Sequence, residues 1–464
     1  MGALVILYLF LSTCNAIDVI LKIDHHVVRT IDTTKFLSFT FDTSFVRGNF
    51  CSFNWLKATL LARPLTPCYV RVGGDDSDFM IFEESVHVHR SDAPPEAPKP
   101  TPYTNGCGMF DRGFFKMTRN QLDCINWFVQ ASGLKLMFDL SAVYGRHNGT
   151  AWNANNAIKL LNYAQEMGYA MDFELGNEPE NYPDWYKFTI SGKEMASNYQ
   201  LLRSVLNSYP LYRGSKLFGP AAGTPFSRQY KDYYGPGAGQ NLSFFFDPFV
   251  LDSLAPVLQR AVSLVKRTRG NKRKQVWLGE TASSYNGGTA GISNSYAAGF
   301  MWMDKLGLCA LNGIDAVFRH TFFMGNYAMT NNNTNPNPDY WLSLLYRTLI
   351  GKQVLNVKSN LGGEGAGPKQ VRFYAHKNRT HTVLFGMNLQ NKAVRIRISG
   401  HNKPVTQYLL EPKEGKLTST RVLLNGCKLI FDGKRSPSVT NMGVLVTPPI
   451  EVPSKRYGMW VWRN

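Results

Sequence analysis

Short apolar runs of β type alternate with helical stretches along the first two thirds of this chain of 464 residues. Apolar residues recur every three to four positions, as in helices, most clearly over 192–206 and 249–265. This alternation is typical of a parallel barrel or a doubly wound sheet, and it limits the fold to those two α/β classes. The β-type runs cover 36–42, 68–72, 134–140, 169–175, 217–220, 276–280 and 314–323.

The pattern changes at about residue 355, where apolar and polar residues begin to alternate with a period of two. Runs such as 371–374 and 394–398 show this alternation, and turns rich in Gly, Asn and Pro separate them. We therefore predict an appended antiparallel β-sandwich. A strand is also expected at 17–23, and we assign it to the sandwich rather than to the barrel.

The first sixteen residues have the features of a secretory signal peptide. Their apolar run, 4–11, is too short to span a bilayer, and small residues at 14–16 suit cleavage. No later apolar run approaches the ~20 residues of a transmembrane helix, so we expect no transmembrane segment. Four N-x-S/T sequons fit a luminal or extracellular compartment, and they lie at Asn148, Asn241, Asn332 and Asn378.

Loss of the signal peptide removes Cys14 and leaves an even set of cysteines for an oxidising compartment. Their wide spacing lacks the C-x-x-C pattern of zinc sites, so no metal ion or other cofactor is predicted. One or two disulfides together with buried free thiols are the expected arrangement. The cysteines concerned are Cys51, Cys68, Cys107, Cys124, Cys309 and Cys427.

The formal net charge is +18 at pH 7, and so basic a surface attracts polyanions by long-range steering. In the secretory pathway the abundant polyanions are sulfated glycans. No nucleic acid partner is expected, because the densest basic run lacks the interleaved aromatic residues that stack on bases. We interpret that run as a solvated loop on the barrel face opposite an active site. It contains Lys266, Arg267, Arg269, Lys272, Arg273 and Lys274.

Two of the predicted strands lead into glutamates, Glu178 within 173–179 and Glu280 within 276–281. A buried carboxylate is costly unless it is used, and a barrel carries its chemistry at the C-terminal ends of its strands. Retaining glycoside hydrolysis needs one acid to protonate the departing oxygen and a carboxylate, ~5.5 Å away, to attack the anomeric carbon. A turn after a strand would explain one of the two glutamates, but the pair favours a glycoside hydrolase.

Several long motifs resemble the heparanase family, within a likeness that runs from about residue 36 to residue 428. The resemblance implies a (β/α)8 TIM barrel with an appended C-terminal antiparallel β-sandwich, and retaining endo-β-glucuronidase action on heparan sulfate without a cofactor. We accordingly assign 1–16 to the signal peptide, 17–30 to a strand of the sandwich, 31–350 to the barrel and 351–464 to the sandwich. The motifs are 174–179 (Glu-Leu-Gly-Asn-Glu-Pro), 277–281 (Trp-Leu-Gly-Glu-Thr), 297–302 with 304–308, and 338–345.

By the same resemblance Glu178 matches the acid/base and Glu280 the nucleophile. Asn177 is expected to donate to the sugar 2-hydroxyl, a bond that strengthens as oxocarbenium character develops. Asp42 and Asp75, which end the first two strands, are candidate acceptors of sugar hydroxyls, and an unrelated capping role is an equal alternative. The other implied substrate-binding residues, which include a tyrosine and a loop that hold the glucuronate carboxylate, are Tyr285, Asn286, Gly287, Gly288, His320 and Tyr327.

One interval departs from the family, which carries a strand with paired histidines and tyrosines and then a basic loop before the helix ahead of Glu280. Here only 226–247 fills that interval, and 242–246 is its sole strand-like piece. Either this piece is an altered sixth strand with its loop deleted, or the barrel lacks a strand. The first interpretation is preferred, because an open barrel edge leaves backbone groups unpaired.

Smaller departures point the same way. Thr224 and Phe226 stand where the family usually has glutamine and arginine, His320 replaces a glutamine, and Asn286 replaces a glycine. The cleft is therefore expected to keep the residues that carry the reaction but to lose part of the contacts that bind the sulfate groups of the substrate. The linker excised during heparanase maturation is shortened to 86–103, which fits a single-chain enzyme.

Three functions are consistent with these features. The leading one is a secreted, extracellular-matrix or lysosomal enzyme that cleaves heparan sulfate or a related sulfated glycosaminoglycan and associates peripherally with cell-surface proteoglycans. The retained glutamate pair favours it. The altered interval favours a catalytically impaired protein of the same fold that binds heparan sulfate. Loops that wall off the cleft would favour an exo-β-glucuronidase acting on smaller substrates.

Overall fold

The computed structural model of the protein describes residues 16–48, 50, 53–83, 114–146, 151–223, 241–268, 274–284, 287–361 and 369–464. Several sequence predictions lie outside these residues. They are the signal peptide up to residue 15, Cys51, Cys107, the linker 86–103, Asn148, Thr224, Phe226, Tyr285, Asn286 and half of the basic run, Arg269, Lys272 and Arg273.

Strands and helices alternate through most of the described chain before residue 350. The strands are β1 Ile17–Thr30, β2 Leu37–Asp42, β3 Tyr69–Gly73, β4 Met80–Glu83, β5 Phe115–Thr118, β6 Lys135–Leu140, β7 Asp172–Leu175, β8 Trp277–Thr281 and β9 Ala316–Arg319. The helices are α1 Ser44–Gly48, α2 Trp55–Ala62, α3 Arg119–Ser132, α4 Asn155–Glu166, α5 Tyr182–Tyr186, α6 Gly192–Asn207, α7 Pro248–Asp252, α8 Leu254–Arg267, α9 Ala298–Leu311 and α10 Pro338–Leu349.

Six parallel strands form one sheet in the order β7-β6-β3-β2-β9-β8. The first of them in the chain, β2, pairs with both β3 and the last strand, β9, as neighbours do in a barrel. Single parallel bridges from Phe173 to Leu217 and from Asn177 to Ala221 extend the sheet beyond β7. The next positions fall within 224–240, outside the described residues, so closure into eight strands stays a prediction.

The piece 242–246, predicted as an altered sixth strand, is instead a 3-10 turn, and that prediction is wrong. Asn241 caps the turn by accepting from the backbone N–H of Ser243 at 3.0 Å. Asp247 caps α7 by accepting from the N–H of Phe249 at 2.8 Å. Two caps this close together leave no room for an extended strand, and the aromatic run packs on α9 instead.

The central strands are buried on both faces, as parallel strands covered by helices must be. Every residue of β3 is buried, as is nearly every residue of β2 and β6. The covering helices α3 and α6 each begin at a capping box, formed by Thr118 with Gln121 and by Ser191 with Glu194. This packing fixes the C-terminal ends of the strands relative to one another.

The C-terminal part is one antiparallel-rich sheet that also contains β1. The other strands are β10 Gln353–Ser359, β11 Val371–Lys377, β12 His381–Asn388, β13 Val394–Ile398, β14 Val405–Pro412, β15 Val422–Leu424, β16 Cys427–Lys428, β17 Val444–Val446, β18 Ile450–Val452 and β19 Arg456–Arg463. The strand order is β16-β15-β14-β19-β12-β11-β10-β1-β13-β18, and β17 pairs with β14. β1 pairs antiparallel with β10 and parallel with β13, where Ile17 lies opposite Val394.

A buried ion network, here called the Arg372 clamp, joins this sheet to the helices of the barrel. Arg372 bonds both carboxylate oxygens of Asp304 in α9, at 2.6 and 3.0 Å, and Asp252 in α7 at 2.6 Å. Tyr374 donates to Asp304 at 2.5 Å. Gly307 lets the Tyr374 ring lie directly against α9, because an added Cβ would come within 2.3 Å of that ring.

Two features relate to the prediction of a secreted protein without a transmembrane segment: the state of the cysteines and one apolar helical stretch. Cys68, Cys309 and Cys427 form no disulfide within the part of the chain that the structure describes. By length and hydropathy alone the stretch 248–267 could cross a membrane. It is divided between α7 and α8, and α8 is amphipathic, with two buried apolar residues and a basic last turn. That pattern is typical of a helix on the surface of a globular protein.

Candidate active site

Most of the predicted site residues lie at the C-terminal ends of the parallel strands, where one side of the sheet carries their side chains together. Asp42, Asp75, Asn177, Glu280 and His320 belong to one set of linked hydrogen bonds and ion pairs. Gly287, Gly288 and Tyr327 lie in the loops that follow β8 and β9.

Arg71, in the middle of β3, is the centre of this set. Its side chain is only 1% exposed. Nε donates to Glu174 at 2.5 Å, Nη1 to Glu280 at 2.9 Å and Nη2 to the Oδ1 of Asn177 at 2.9 Å. Because a guanidinium is planar and rigid, it fixes these three acceptors relative to one another. We call these four residues the Arg71 network.

Sequence analysis did not identify Arg71, although a signal was present. Arg71, Asp139 and Glu174 are charges inside short apolar strands, and all three are buried. Asp139 accepts from Ser77 at 2.6 Å and lies 3.7 Å from Arg71. Burial and the charge of Glu174 raise the pKa of Asp139 well above its usual range. A charge at a doubly buried strand position is informative because it must have a partner inside the barrel.

Glu280 combines an ion pair with access to solvent. Its side chain is 38% exposed, and Oε2 accepts from Arg71 while Oε1 lies 3.7 Å from the Nε2 of His320. Burial raises the pKa of Glu280, but the charges of His320 and Arg71 outweigh burial and lower it overall. The carboxylate is therefore ionised and available over a wide pH range.

The pKa of Glu178 shifts in the opposite direction from that of Glu280. It follows β7 in a left-handed conformation, with φ of 46°, and its N–H donates to the carbonyl of Ala221 at 2.8 Å. Oε2 accepts from Asn181 at 2.8 Å. Gly223 lies so close that an added Cβ would come within 2.1 Å of Oε1. Burial, the charge of Glu280 and then that of Glu180 raise the pKa of Glu178 to about 7.

Asn177 is held on three sides. Its side chain accepts from Arg71 and donates to Asp75 at 2.9 Å, and its backbone N–H donates to Asp78 at 3.1 Å. Asp75, expected to accept a sugar hydroxyl or to cap an element, thus orients the amide of Asn177. Asp78 also accepts from Tyr182 at 2.7 Å, and burial raises the pKa of Asp78 to about 6. Sequence reasoning missed Asp78 and Tyr182.

His320 follows β9 and is almost completely buried, with 4% of its side chain exposed. Nδ1 lies 2.7 Å from the hydroxyl of Thr40, and Nε2 lies 3.5 Å from Oδ2 of Asp42. The other oxygen of Asp42, Oδ1, accepts from the backbone N–H of Ser44 at 2.8 Å. Asp42 therefore does cap the start of α1, and its second oxygen still faces the site.

The loops after β8 and β9 are joined at Tyr327. The backbone N–H of Asn326 donates to the carbonyl of Gly287 at 2.6 Å, and its side chain donates to that of Gly288 at 3.0 Å. Gly288 has φ of +75°, and an added Cβ would lie 3.1 Å from the Tyr327 ring, so glycine permits this contact. Arg319 fixes the backbone of Tyr327 by donating to its carbonyl at 2.6 Å.

Metal ligation was not predicted for this cleft. Within the part of the chain that the structure describes, no group of three or more His, Cys, Asp or Glu side chains has the arrangement of a metal site. The buried acids are instead paired with Arg71, with Arg319 or with hydroxyl and amide donors.

Comparison with protein families gives one match that covers most of the barrel. The family described as glycosyl hydrolase family 79, N-terminal domain, matches residues 42–222 and 227–307. Heparanase of Gallus gallus is 33% identical over 92% of this chain and 92% of its own length. The protein named inactive heparanase-2 of Homo sapiens is 30% identical over 94% of this chain and 87% of its own.

Solved structures extend the likeness at the level of the fold. A 4-O-α-L-rhamnosyl-β-D-glucuronidase from Fusarium oxysporum 12S superposes with a TM-score of 0.60. The match covers 95% of this chain and 100% of that one at 14% identity. It supports a TIM-barrel-like arrangement followed by a sheet-rich region.

Proposed function

This chain belongs to glycosyl hydrolase family 79, and from that premise we propose that it is a retaining endo-β-glucuronidase. Its proposed substrate is heparan sulfate or a related glucuronate-containing glycan. The observation that carries the proposal is the pair of opposite pKa shifts, lowered for Glu280 and raised to about 7 for Glu178. A nucleophile must be ionised and an acid protonated at the same pH, and these shifts permit both.

In the proposed reaction Glu280 attacks the anomeric carbon while Glu178 protonates the departing glycosidic oxygen. Glu178, now ionised, then removes a proton from water, which attacks the glycosyl-enzyme and releases Glu280. Arg71 holds Glu280 and Asn177 in fixed relation throughout. One N–H of the Asn177 amide serves Asp75, and the second is left to donate to the sugar 2-hydroxyl.

The glucuronate carboxylate is proposed to bind at Tyr327 and at the backbone of the adjoining loop. Support comes from the close packing of Gly288 on the Tyr327 ring and from the bonds that Asn326 makes to Gly287 and Gly288. Loops that are already held together in this way lower the ordering cost of substrate binding. The His320 ring packs edge-on against the Tyr327 ring, with ring centroids 5.1 Å apart, and its Nε2 lies near Asp42 and Glu280.

A second candidate function is a binder that holds heparan sulfate without cutting it. Gly223, which lies against Glu178, is the last described residue before the altered interval, so the change in sequence begins close to the acid along the chain. The likeness to a protein named inactive heparanase-2 also favours this alternative.

We also propose that the protein is secreted or lysosomal and acts as a single chain. Asn241 and Asn332, two of the predicted glycosylation acceptors, are exposed. Mass spectrometry of the protein purified from a secreting eukaryotic host would locate glycans and the mature N-terminus. Unmodified sequons on an intracellular full-length chain would contradict this compartment.

The central test is digestion of heparan sulfate by purified protein between about pH 4 and pH 7, where the acid and nucleophile hold their required forms. The expected result is new reducing ends on oligosaccharide products, with the β configuration in the product first formed. Release of free glucuronate alone would identify an exo-acting enzyme. Heparin binding without new reducing ends at any pH would support the binder instead.

A further inference from the structure

We propose that His320 is a positioning residue of this site, whose Nε2 lies within ion-pair distance of both Glu280 and Asp42 and helps to keep Glu280 ionised. The inference rests on the proposed function, because it concerns how Glu280 is kept ready to attack. It differs from the substrate-binding role that the sequence suggested. At 4% exposure the ring lies beneath the cleft and contacts protein groups.

The proton on Nε2 follows from the groups that face it. Oδ2 of Asp42 lies at 3.5 Å and Oε1 of Glu280 at 3.7 Å, and both are acceptors. A ring nitrogen placed between two carboxylate oxygens is stabilised as a donor. On the other side of the ring, the hydroxyl of Thr40 at 2.7 Å can either donate to Nδ1 or accept from it. The site therefore satisfies both the neutral and the charged ring.

Each carboxylate beside His320 has one oxygen fixed and one oxygen directed at the ring. Asp42 is fixed by the backbone N–H of Ser44, and Glu280 by Arg71. His320 thus connects two groups that are otherwise held by different strands, β2 and β8. A neutral ring at this position could contact both carboxylates, but only a charged ring also offsets the negative charges of Asp42 and Glu280.

Other charged groups around Glu280 must be considered for any effect of pH. Arg71 from β3 contributes a permanent positive charge, and Glu178 after β7 contributes a negative one when it is ionised. Asp42 at the end of β2 is a second acid on the His320 side. Tyr327 packs edge-on against the His320 ring, with ring centroids 5.1 Å apart. Among these groups, only Arg71 and His320 can carry a positive charge.

Deeper residues complete the surroundings. Glu174 of β7 and Asp139 of β6 reach Glu280 only through Arg71. Lys305 of α9 contacts the hydroxyl of Thr281, next to Glu280, at 2.5 Å, and burial lowers its pKa to about 8. It therefore stays charged at acidic pH and cannot produce an acid limb of its own. Loss of the His320 charge should accordingly make Glu280 harder to ionise.

The test measures the ionisation of Glu280 without requiring Glu178 as an acid. The probe is 2-deoxy-2-fluoro-β-glucuronyl fluoride, in which a bond forms from Glu280 to the anomeric carbon as the C–F bond breaks and fluoride leaves. The inactivation rate is followed against pH for wild type and for His320→Gln. Glutamine keeps an N–H donor near the Nε2 position but carries no charge.

We expect the acid limb of inactivation to move to higher pH by about 1 unit in His320→Gln, which makes inactivation roughly tenfold slower below the limb. His320→Leu, which removes both donor and charge, should be slower at every pH by about 100-fold. Thr40→Val withdraws the acceptor for the second N–H of the charged ring, so its limb should move in the same direction by less. His26→Gln, an exposed change on β1, should leave the profile unchanged.

Coincident acid limbs in wild type, His320→Gln and Thr40→Val would overturn the inference, as would a His320→Leu variant as fast as wild type. Thermal unfolding of each variant confirms that folded proteins are compared. A wild-type protein that the probe never labels would instead contradict the proposed function, and this inference with it. Labelling with an unaltered limb contradicts the inference alone.

Discussion

The Arg71 network and the Arg372 clamp are built from the same groups. Each has a buried guanidinium that bonds one buried and one more exposed carboxylate. The exposed members, Glu280 and Asp252, have 38% and 48% of their side chains accessible. Yet one network lies at the C-terminal ends of the barrel strands, and the other holds a sheet to two helices.

The difference lies in what the exposed carboxylate faces. Glu280 is near enough to a second acid, Glu178, for its charge to contribute to raising the pKa of that acid to about 7. Asp252 has its only described ion pair with Arg372. A buried ion network is therefore a poor indicator of a catalytic site, whereas two acids with opposed pKa shifts are a good one.

The largest expected effect comes from the exposed acids. Glu280→Gln removes the nucleophile while it keeps the volume of the side chain, so turnover should fall by at least about 10⁴-fold. Asp252→Asn, its counterpart in the clamp, should leave turnover unchanged. Reducing-end assays on heparan sulfate measure both. Substantial residual activity in Glu280→Gln would erase the distinction between the two networks.

The guanidinium groups give the next largest effect. Arg372→Met leaves Asp304 buried without its cation, so the free energy of unfolding should fall by about 3–5 kcal/mol. The folded fraction should retain its turnover number. Arg71→Met should lose comparable stability and turnover as well. Chemical denaturation together with active-site titration separates the two, and a stable Arg372→Met variant would show that the clamp does not hold the sheet.

A third effect concerns pH. Glu178 must carry a proton to act as an acid, and with its pKa at about 7 the rate should fall about tenfold per pH unit above neutrality. Because the pKa of Glu280 is lowered, the acid side of the profile should fall only below the ordinary range of a glutamate. The pH dependence of kcat/KM tests this, and a rate still rising above pH 8 would exclude Glu178 as the acid.

The tyrosines offer a smaller and matched comparison. Tyr327→Phe should reduce turnover by about tenfold, because it removes a donor to the substrate carboxylate, while heparin retention on a column changes little. Tyr374→Phe removes the donor to Asp304 and should lower stability by about 1–2 kcal/mol without affecting turnover. If Tyr327→Phe reduces only heparin retention, Tyr327 belongs to a binding surface rather than to the reaction.

The smallest effect is on stability. The pKa of Glu178 is raised from its ordinary value of 4.5 to about 7, so folding opposes its ionisation. The contribution of protonated Glu178 to the free energy of unfolding is therefore fully present below about pH 4.5 and is lost as pH rises through 7. Glu178→Gln should melt at the same temperature as wild type in acid, but a few degrees higher at pH 8. If Glu178→Gln and wild type melt at the same temperature at each of the two pH values, folding does not oppose the ionisation of Glu178.

Sequence patterns located the strands well where burial made them continuous. The runs predicted at 36–42, 68–72 and 134–140 correspond to β2, β3 and β6 within a residue at each end. The run 242–246 failed because an aromatic cluster has the same composition in a strand and in a turn that packs on a helix. Only the caps at Asn241 and Asp247 distinguish the two, and both are visible in the sequence.

The site was harder to predict than the strands. Side chains that follow a strand, such as Asn177 and Glu178, stand out because they interrupt an apolar pattern in a recognisable motif. Arg71 lies inside the apolar run 68–72 and looks in the sequence like an isolated charge. Its partners Glu174 and Glu280 come from two strands that are distant in the chain, β7 and β8. Long-range pairing of this kind is a property of the barrel, not of any local pattern.

The pairing of β1 with β13 has a consequence for how the chain is made. Ile17 is synthesised long before its partner Val394, because more than three quarters of the chain lies between them. At roughly 5–20 residues per second, β1 waits for tens of seconds with its backbone groups unpaired while the barrel forms behind it. Its alternating polar side chains, which include Asp18, Lys22 and Asp24, help to keep it from joining other chains during that interval.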